Sequence, residues 1–185
     1  MDQKYYVYRL ADLKKQLQAY ISGYVNPLQA NSIEVYSCMG NHDNWLYFPY
    51  VYKAVKRYIK KRHGDIFYNF IHKGVQFICL SIYPDVNGLK YFKSVANKSL
   101  PIVLFFHYNI EGELSNWWTN EEKENFKNTI NGYHIKLIVN GHLHISSSYI
   151  WNGYQVITCG GDGFYKCFFS KDTENITVEH VKYWV

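Results

Sequence analysis

Hydrophobic residues along the chain follow helix-like spacing in some segments and strand-like spacing in others. Apolar side chains at three- and four-residue steps predict a helix over Tyr5–Tyr24 and a second over roughly Tyr50–Arg62, which stops at Gly64. A third helix is predicted to begin at a capping box on Thr119 and to run to about Asn131. The predicted helices are therefore separated by long stretches that lack helix-like spacing.

Those stretches are rich in β-branched and aromatic residues, which predicts strands. Ile66–Ile71 and Val75–Ile82 are predicted to form a hairpin around Lys73-Gly74. The near-continuous apolar runs Ile102–Phe106 and Ile135–Val139 predict strands buried on both faces. Further extended segments are predicted at Ile33–Ser37, Tyr149–Cys159, Phe164–Phe169 and Ile176–Trp184. Helices that alternate with buried strands predict an α/β layered sandwich, and no linker divides residues 1–185, so one domain is expected.

Composition and charge narrow the functional classes. The chain has 185 residues, of which 48% are hydrophobic and 19% charged, as expected of a folded domain. The net charge of +5 suits anionic substrates but is too small to indicate a nucleic-acid-binding protein. None of the four cysteines forms a CxxC pair, so neither a zinc knuckle nor a redox motif is indicated. No apolar run has the length of a transmembrane segment.

Three polar clusters each follow a predicted extended segment. They are Asn41-His42-Asp43, His107 and His142-Leu143-His144. Neutral imidazoles and amide oxygens are good ligands for zinc, iron and manganese. If the backbone is extended at His142-Leu143-His144, both imidazoles project to one side. A single histidine at a strand end is more often structural than a ligand, but three such clusters in one chain favour a metal site.

The order of these clusters resembles the calcineurin-like metallophosphoesterase family. The matching residues are Gly40-Asn41-His42-Asp43, then a histidine that closes an apolar strand, then Gly141-His142-Leu143-His144. Further matching segments are Leu80-Ser81-Ile82-Tyr83-Pro84, Trp117-Trp118 and Trp151-Asn152-Gly153. The resemblance covers nearly the whole chain from about Tyr8 and implies β-sheets flanked by helices. It also implies a hydrolase that cleaves phosphate mono- or diesters.

The resemblance implies a dinuclear metal site of the manganese, iron or zinc class. Asn41, His107 and His142 would ligate one ion, and His144 would ligate the other. Two such ions can hold the attacking and the departing oxygen of an in-line displacement, and they lower the pKa of a bound water.

Two neighbouring residues have implied catalytic roles. His42 would contact the scissile phosphate and protonate the leaving oxygen, and Asp43 would orient the His42 ring. A histidine beside a carboxylate is a sensible general acid because the carboxylate favours the imidazolium.

Two family motifs, Asp-x-His and Gly-Asp, are expected upstream of Asn41. Only Asp2 and Asp12 precede Asn41, and neither closes a hydrophobic strand. The chain is therefore expected to be an N-terminally truncated fragment or an incomplete gene model that lacks the first strands of the sheet. Without these carboxylates we expect it to bind one ion weakly or none, with impaired hydrolysis.

Alternative interpretations remain at this stage. The second hypothesis is a catalytically inactive phosphoesterase-fold module that binds partners or serves as a scaffold. A third hypothesis, a structural zinc-binding domain, has less support because no cysteine ligands accompany the histidines. The substrate is a phosphate ester of undetermined kind. Trp45, Trp117 and Trp118 are expected near the rim of the site, either stacking on a base or sugar or packing in the core. The sequence leaves the compartment and the oligomeric state open.

Overall fold

The structure, a computed structural model, describes residues 15–44, 49–173 and 175–183. Backbone contacts divide them into two units, the first up to Ile66 and the second from Phe67 onward. Each unit is described by itself, and the prediction of one domain over residues 1–185 stays a prediction.

The first helix in the described part of the first unit runs further than predicted. Residues 15–20 are α-helical, and the helix continues through a π-helical turn, Ile21–Val25, into a short α-helix, Asn26–Ala30 (α1). The predicted end at Tyr24 is wrong because Pro27 lies in the first turn of α1, where a missing backbone N–H is tolerated. The predicted residues before 15 lie outside the described part of the chain.

The predicted extended segment Ile33–Ser37 is not a strand. Residues 33–40 form no ladder with any strand in the described ranges, and Ile33 is half exposed. A strand requires a hydrogen-bonded neighbour. Instead, the Val35 carbonyl accepts a hydrogen bond from Arg62 Nη2 at 3.2 Å. The cluster that begins at Asn41 therefore does not follow a strand.

The second predicted helix is confirmed as Pro49–His63 (α2). It ends at Gly64, whose φ of 90° is left-handed and whose N–H donates to the Lys60 carbonyl at 2.9 Å. Its last turn is basic, which suits the negative end of the helix dipole.

The second unit is built on a mixed sheet, which confirms the predicted α/β class. Its six strands lie in the order β1-β2-β3-β4-β6-β5, with parallel pairing through the middle and an antiparallel pair at each edge. The strands are Tyr68–His72 (β1), Val75–Cys79 (β2), Ile102–Phe105 (β3), Ile135–Asn140 (β4), Ser147–Trp151 (β5) and Tyr154–Thr158 (β6). The helices are Val86–Val95 (α3) and Asn120–Ile130 (α4).

Two tight turns join the antiparallel pairs. Lys73-Gly74 has φ values of 48° and 81°, which confirms the predicted hairpin. Asn152-Gly153 has nearly the same values, 49° and 84°, and connects β5 to β6. Positive φ at both central residues is what a two-residue hairpin turn requires. The single strand predicted over Tyr149–Cys159 is therefore wrong: the Asn-Gly turn divides it in two.

Helix α3 was not predicted. Its N-terminal cap is Asp85, whose Oδ1 accepts a hydrogen bond from Gly88 N at 2.7 Å. Gly88 lies inside the helix and weakens the helical signal. An added Cβ at Gly88 would make an ordinary van der Waals contact with the ring of Phe67, at 3.4 Å.

The sheet buries side chains on both faces. One face packs Ile78, Leu104 and other apolar residues against Phe92 of α3 and Phe126 of α4. The other face packs Val75, Val103, Leu137 and Ile157 under a two-stranded antiparallel sheet, Gly163–Phe169 (β7) and Ile176–Lys182 (β8). The prediction that β3 and β4 are buried on both faces is thus confirmed. None of the helices in the described ranges is long and apolar enough to cross a membrane.

Candidate active site

The predicted site residues fall into two loops and one strand end. The Asn41 loop, Gly40–Asn44, belongs to the first unit, and the His142 loop, Gly141–Ser146, belongs to the second. His107 follows β3 in the second unit. Each group is described within its own unit.

The Asn41 loop is closed by its own aspartate. Asp43 Oδ2 accepts a hydrogen bond from Gly40 N at 2.8 Å, and Asp43 N donates to the Gly40 carbonyl at 3.1 Å. His42 begins a short 3-10 turn with Asp43 and Asn44, and its side chain is exposed. The loop therefore holds its shape through bonds within four residues, with His42 accessible to a substrate.

The Asp43 carboxylate lies in an unusual environment. It lines a cavity of the first unit together with Tyr20 and Ser37, whose hydroxyl oxygens are 2.7 Å apart. Burial raises the pKa of Asp43 above 3.8, although the bond from Gly40 and the charge of His42 oppose this effect. The role of Asp43 in orienting the His42 ring stays a prediction.

His107 and His142 come together at the carboxyl ends of neighbouring parallel strands, β3 and β4. Gly141 N donates to the His107 carbonyl at 2.9 Å, which joins the two strand ends. His107 N in turn lies 3.1 and 3.0 Å from the carbonyl oxygens of Ser81 and Ile82, to which it donates. Side chains at this edge of a parallel sheet are the usual ones to form a site. The segment Leu80-Ser81-Ile82 thus helps to position the backbone of His107.

The geometry of this pair fits two ligands of one metal ion. The ring centres of His107 and His142 are 5.0 Å apart with an interplanar angle of 67°. Two imidazoles that bind a tetrahedral ion at about 2.0–2.1 Å have ring centres roughly 5 Å apart. His142 is only 8% exposed, so its ring is held by packing rather than moving freely.

The backbone of the His142 loop is not extended. His142 has φ of 70° and His144 has φ of 61°, both in the left-handed region. The chain must turn from β4 into β5 here, and Leu143 N donates to the Gly141 carbonyl at 2.8 Å within that turn. The alternation argument for His142 and His144 therefore does not apply: His142 is buried and His144 is exposed.

A metal ion in a protein requires several ligating side chains that are grouped together. In the described ranges, no three His, Cys, Asp or Glu side chains are grouped so as to hold an ion. His107 and His142 are two neighbouring imidazoles of the second unit, whereas Asn41, the third predicted ligand of the same ion, belongs to the first unit. The ligand roles of Asn41 and His144 stay predictions.

Sequence reasoning missed Asp162, which holds the far end of the His142 loop. Its Oδ1 accepts hydrogen bonds from the N–H and the hydroxyl of Ser146. Gly160 N donates to the Ser146 hydroxyl at 3.1 Å, and Gly161 N donates to the His144 carbonyl at 3.2 Å. The bond from Ser146 lowers the pKa of Asp162 below 3.8. The only sequence signal was Gly160-Gly161-Asp162 directly after a strand.

Aromatic side chains surround His142. The ring centres of Tyr108 and Trp117 lie 4.9 and 5.5 Å from that of His142. Burial raises the pKa of Tyr108. Of the tryptophans expected at the rim, Trp117 is 53% exposed, whereas Trp118 is only 2% exposed and packs in the core. Trp45 lies outside the described residues.

Comparison with protein families gives one clear result. The family model of calcineurin-like phosphoesterases matches residues 5–146, a range that includes the Asn41 loop, His107 and the whole His142 loop. No curated protein matches the chain. The chain belongs to the calcineurin-like phosphoesterase family, whose general role is the hydrolysis of phosphate esters.

Proposed function

We propose that this chain hydrolyses phosphate mono- or diesters with the help of bound divalent metal, as one phosphoesterase domain over residues 1–185. The observation that supports this most is the His107–His142 pair, with ring centres 5.0 Å apart at adjoining parallel strand ends. The pair has the spacing of two ligands of one ion and lies in a chain of the matching family.

The proposed ligands follow the family order. Asn41, His107 and His142 hold one ion, and His144 contributes to a second, with manganese, iron or zinc as the metal class. Metal bound there would lower the pKa of a water and stabilise negative charge on the phosphate. The chain's own contribution is to fix the two imidazoles by packing, since His142 is buried between Tyr108 and Trp117.

His42 is the proposed general acid. The bond between Asp43 and Gly40 closes the Asn41 loop and leaves the His42 ring exposed, where it can reach a leaving oxygen. In this role His42 donates a proton to the departing alkoxide or aryl oxide, and Asp43 supports the charged ring.

The same residues predict that activity is impaired. Residues 1–40 contain no Asp-x-His segment, so the proposed ligands of the first ion, Asn41, His107 and His142, are all neutral. Neutral ligands do not offset the charge of the ions, so we expect one weakly held ion and slow turnover.

The test is hydrolysis of bis(p-nitrophenyl) phosphate in the presence of Mn²⁺ or Zn²⁺. We expect slow, metal-dependent release of p-nitrophenol that falls at least about 100-fold in His107→Ala and in His142→Ala, because each variant removes a ligand. His72→Ala is the matched control, since His72 is an exposed histidine of β1. Equal rates in His142→Ala and the unmodified chain would contradict the proposal. A folded chain with no activity would favour the scaffold interpretation instead.

A further inference from the structure

The segment between His107 and α4 contains a hydrogen-bonded loop, residues 109–118, which we call the Asn109 loop. Asn109 is fully buried, and its Nδ2 donates to the carbonyl oxygens of Glu111 and Glu113, both at 2.8 Å. At the other end of the loop, Trp118 Nε1 donates to the Asn109 carbonyl at 3.1 Å. One buried amide thus organises the turn, and the Trp118 indole closes it. A loop held in this way presents its remaining side chains in fixed positions.

Trp117 is the side chain that this loop presents. It ends the 3-10 turn Ser115–Trp117 and is 53% exposed, although its neighbour Trp118 is buried. Its ring centre lies 5.5 Å from that of His142, with the ring planes at 88°, and 5.8 Å from that of Tyr108. Half of a large apolar ring therefore faces solvent directly beside the proposed metal ligand.

Folding alone gives little reason for this exposure. Trp118 supplies the buried indole that closes the loop, and it packs on Phe106 and Phe126. An exposed aromatic ring beside a proposed metal ligand is instead a suitable surface for stacking. Stacking of a base on an aromatic side chain changes affinity roughly 10- to 100-fold, and it depends on a flat ring rather than on particular hydrogen bonds.

We propose that Trp117 determines specificity by stacking on a planar aromatic group of the phosphoester. Aryl or nucleoside phosphoesters are then preferred over aliphatic ones. The inference rests on the proposed function, because it takes the His107–His142 pair as the place where the phosphate binds. The shared chemistry is a planar aromatic ring, whether phenyl or nucleobase.

Binding measurements test the proposal without requiring turnover. Four ligands form two matched pairs: phenyl phosphate with methyl phosphate, and adenosine 5′-monophosphate with ribose 5-phosphate. Each is titrated by calorimetry in the presence of Zn²⁺. In Trp117→Ala we expect affinity for phenyl phosphate, for adenosine 5′-monophosphate or for both to fall about 10- to 100-fold, with methyl phosphate and ribose 5-phosphate changing less than about threefold. Loss for only one aromatic ligand identifies the aryl or the nucleoside class.

Two variants separate stacking from a structural role. Trp117→Phe keeps a flat ring and should retain most of the aromatic preference, whereas Phe168→Ala removes an exposed aromatic residue of β7 and should leave all four affinities unchanged. Equal weakening of all four ligands in Trp117→Ala would show that Trp117 only supports the loop. Unchanged aromatic binding, or no binding of any of the four to the unmodified chain, would also overturn the proposal.

Hydrolysis provides a second readout that distinguishes this inference from the proposed function. If the affinity for phenyl phosphate depends on Trp117, Trp117→Ala should also raise KM for bis(p-nitrophenyl) phosphate and leave kcat nearly unchanged, because the ring binds substrate and takes no part in proton transfer. A chain that turns over nothing yet shows the Trp117-dependent preference would refute the proposed function and keep this inference. A chain that hydrolyses the diester but whose Trp117→Ala variant loses affinity for neither aromatic ligand would keep the proposed function and refute this inference.

Discussion

The Asn41 loop and the His142 loop both carry predicted site residues and are both held by one aspartate, yet the two carboxylates lie in opposite environments. Asp43 bonds to Gly40, three residues away, and burial raises its pKa. Asp162 bonds to Ser146, sixteen residues away, and hydrogen bonding at the surface lowers its pKa. One loop is thus shaped by its own residues at an electrostatic cost. The His142 loop is shaped by a segment that is distant in sequence, and hydrogen bonding there favours the charged form of the Asp162 carboxylate.

The strongest test of the long-range loop is Gly160→Ala. A Cβ at this position would lie 2.4 Å from Ser146 N and 2.6 Å from Ile145 C, and backbone atoms cannot move aside cheaply. We expect the free energy of unfolding to fall by about 2–3 kcal/mol, measured by urea denaturation. Gly161→Ala is the matched control, because nothing lies within 4 Å of its Cβ. Equal effects in the two variants would show that the close approach at Gly160 is unimportant.

Asp43→Asn is expected to have a smaller effect and a definite pH dependence. The folded state raises the pKa of Asp43, so its contribution to stability is most favourable below pH 3.8 and is lost as pH rises through the raised value. Asparagine can still accept the bond from Gly40 N. The variant should therefore match the unmodified chain in acid and become the more stable of the two towards pH 7, as followed by thermal unfolding.

Asp43→Ala is the matching control for the hydrogen bond itself. It removes the acceptor for Gly40 N as well as the charge, so we expect it to be less stable than Asp43→Asn by about 1 kcal/mol at every pH. An Asp43→Asn variant that is less stable than the unmodified chain at pH 7 would mean that the buried charge stabilises the loop.

Asp162→Asn is expected to have the smallest effect, with the opposite pH dependence. The folded state lowers the pKa of Asp162, so its stabilising contribution is present above pH 3.8 and is lost as pH falls through the lowered value. The unmodified chain should be slightly more stable than the variant at pH 7, and the difference should shrink in acid. Solvent screens this exposed group, so hydrogen exchange at Ser146 N is the more sensitive measurement. The comparison fails if the two aspartate variants share the same pH trend.

Local signals in the sequence predicted much of the fold. The Lys73-Gly74 turn and the Thr119 capping box could be predicted from the sequence because each depends on residues that lie within four positions of one another. The Asn152-Gly153 turn has the same chemistry as the Lys73-Gly74 turn, but the apolar residues on both sides of it give one continuous strand signal. Helix α3 was not predicted because Gly88 lies inside it, and glycine lowers helical propensity.

The candidate site was only partly predictable. The rule that neighbouring parallel strands end at one edge of a sheet agrees with the closeness of His107 and His142. It could not give the left-handed backbone of His142 and His144, since those dihedrals come from the reversal into β5. Nor could it give Asp162, whose partner Ser146 is far away in sequence. The joint role of Asn41 with the histidine pair stays a prediction.

The measurement that tests the central claim most directly is calorimetric titration of the folded chain with Zn²⁺. The claim is that the His107–His142 pair, with ring centres 5.0 Å apart, provides two ligands of one ion. We predict one weak site in the unmodified chain and in His72→Ala, and its loss in both His107→Ala and His142→Ala. Zinc binding that is unchanged in His142→Ala, or absent from the unmodified chain, would contradict the claim.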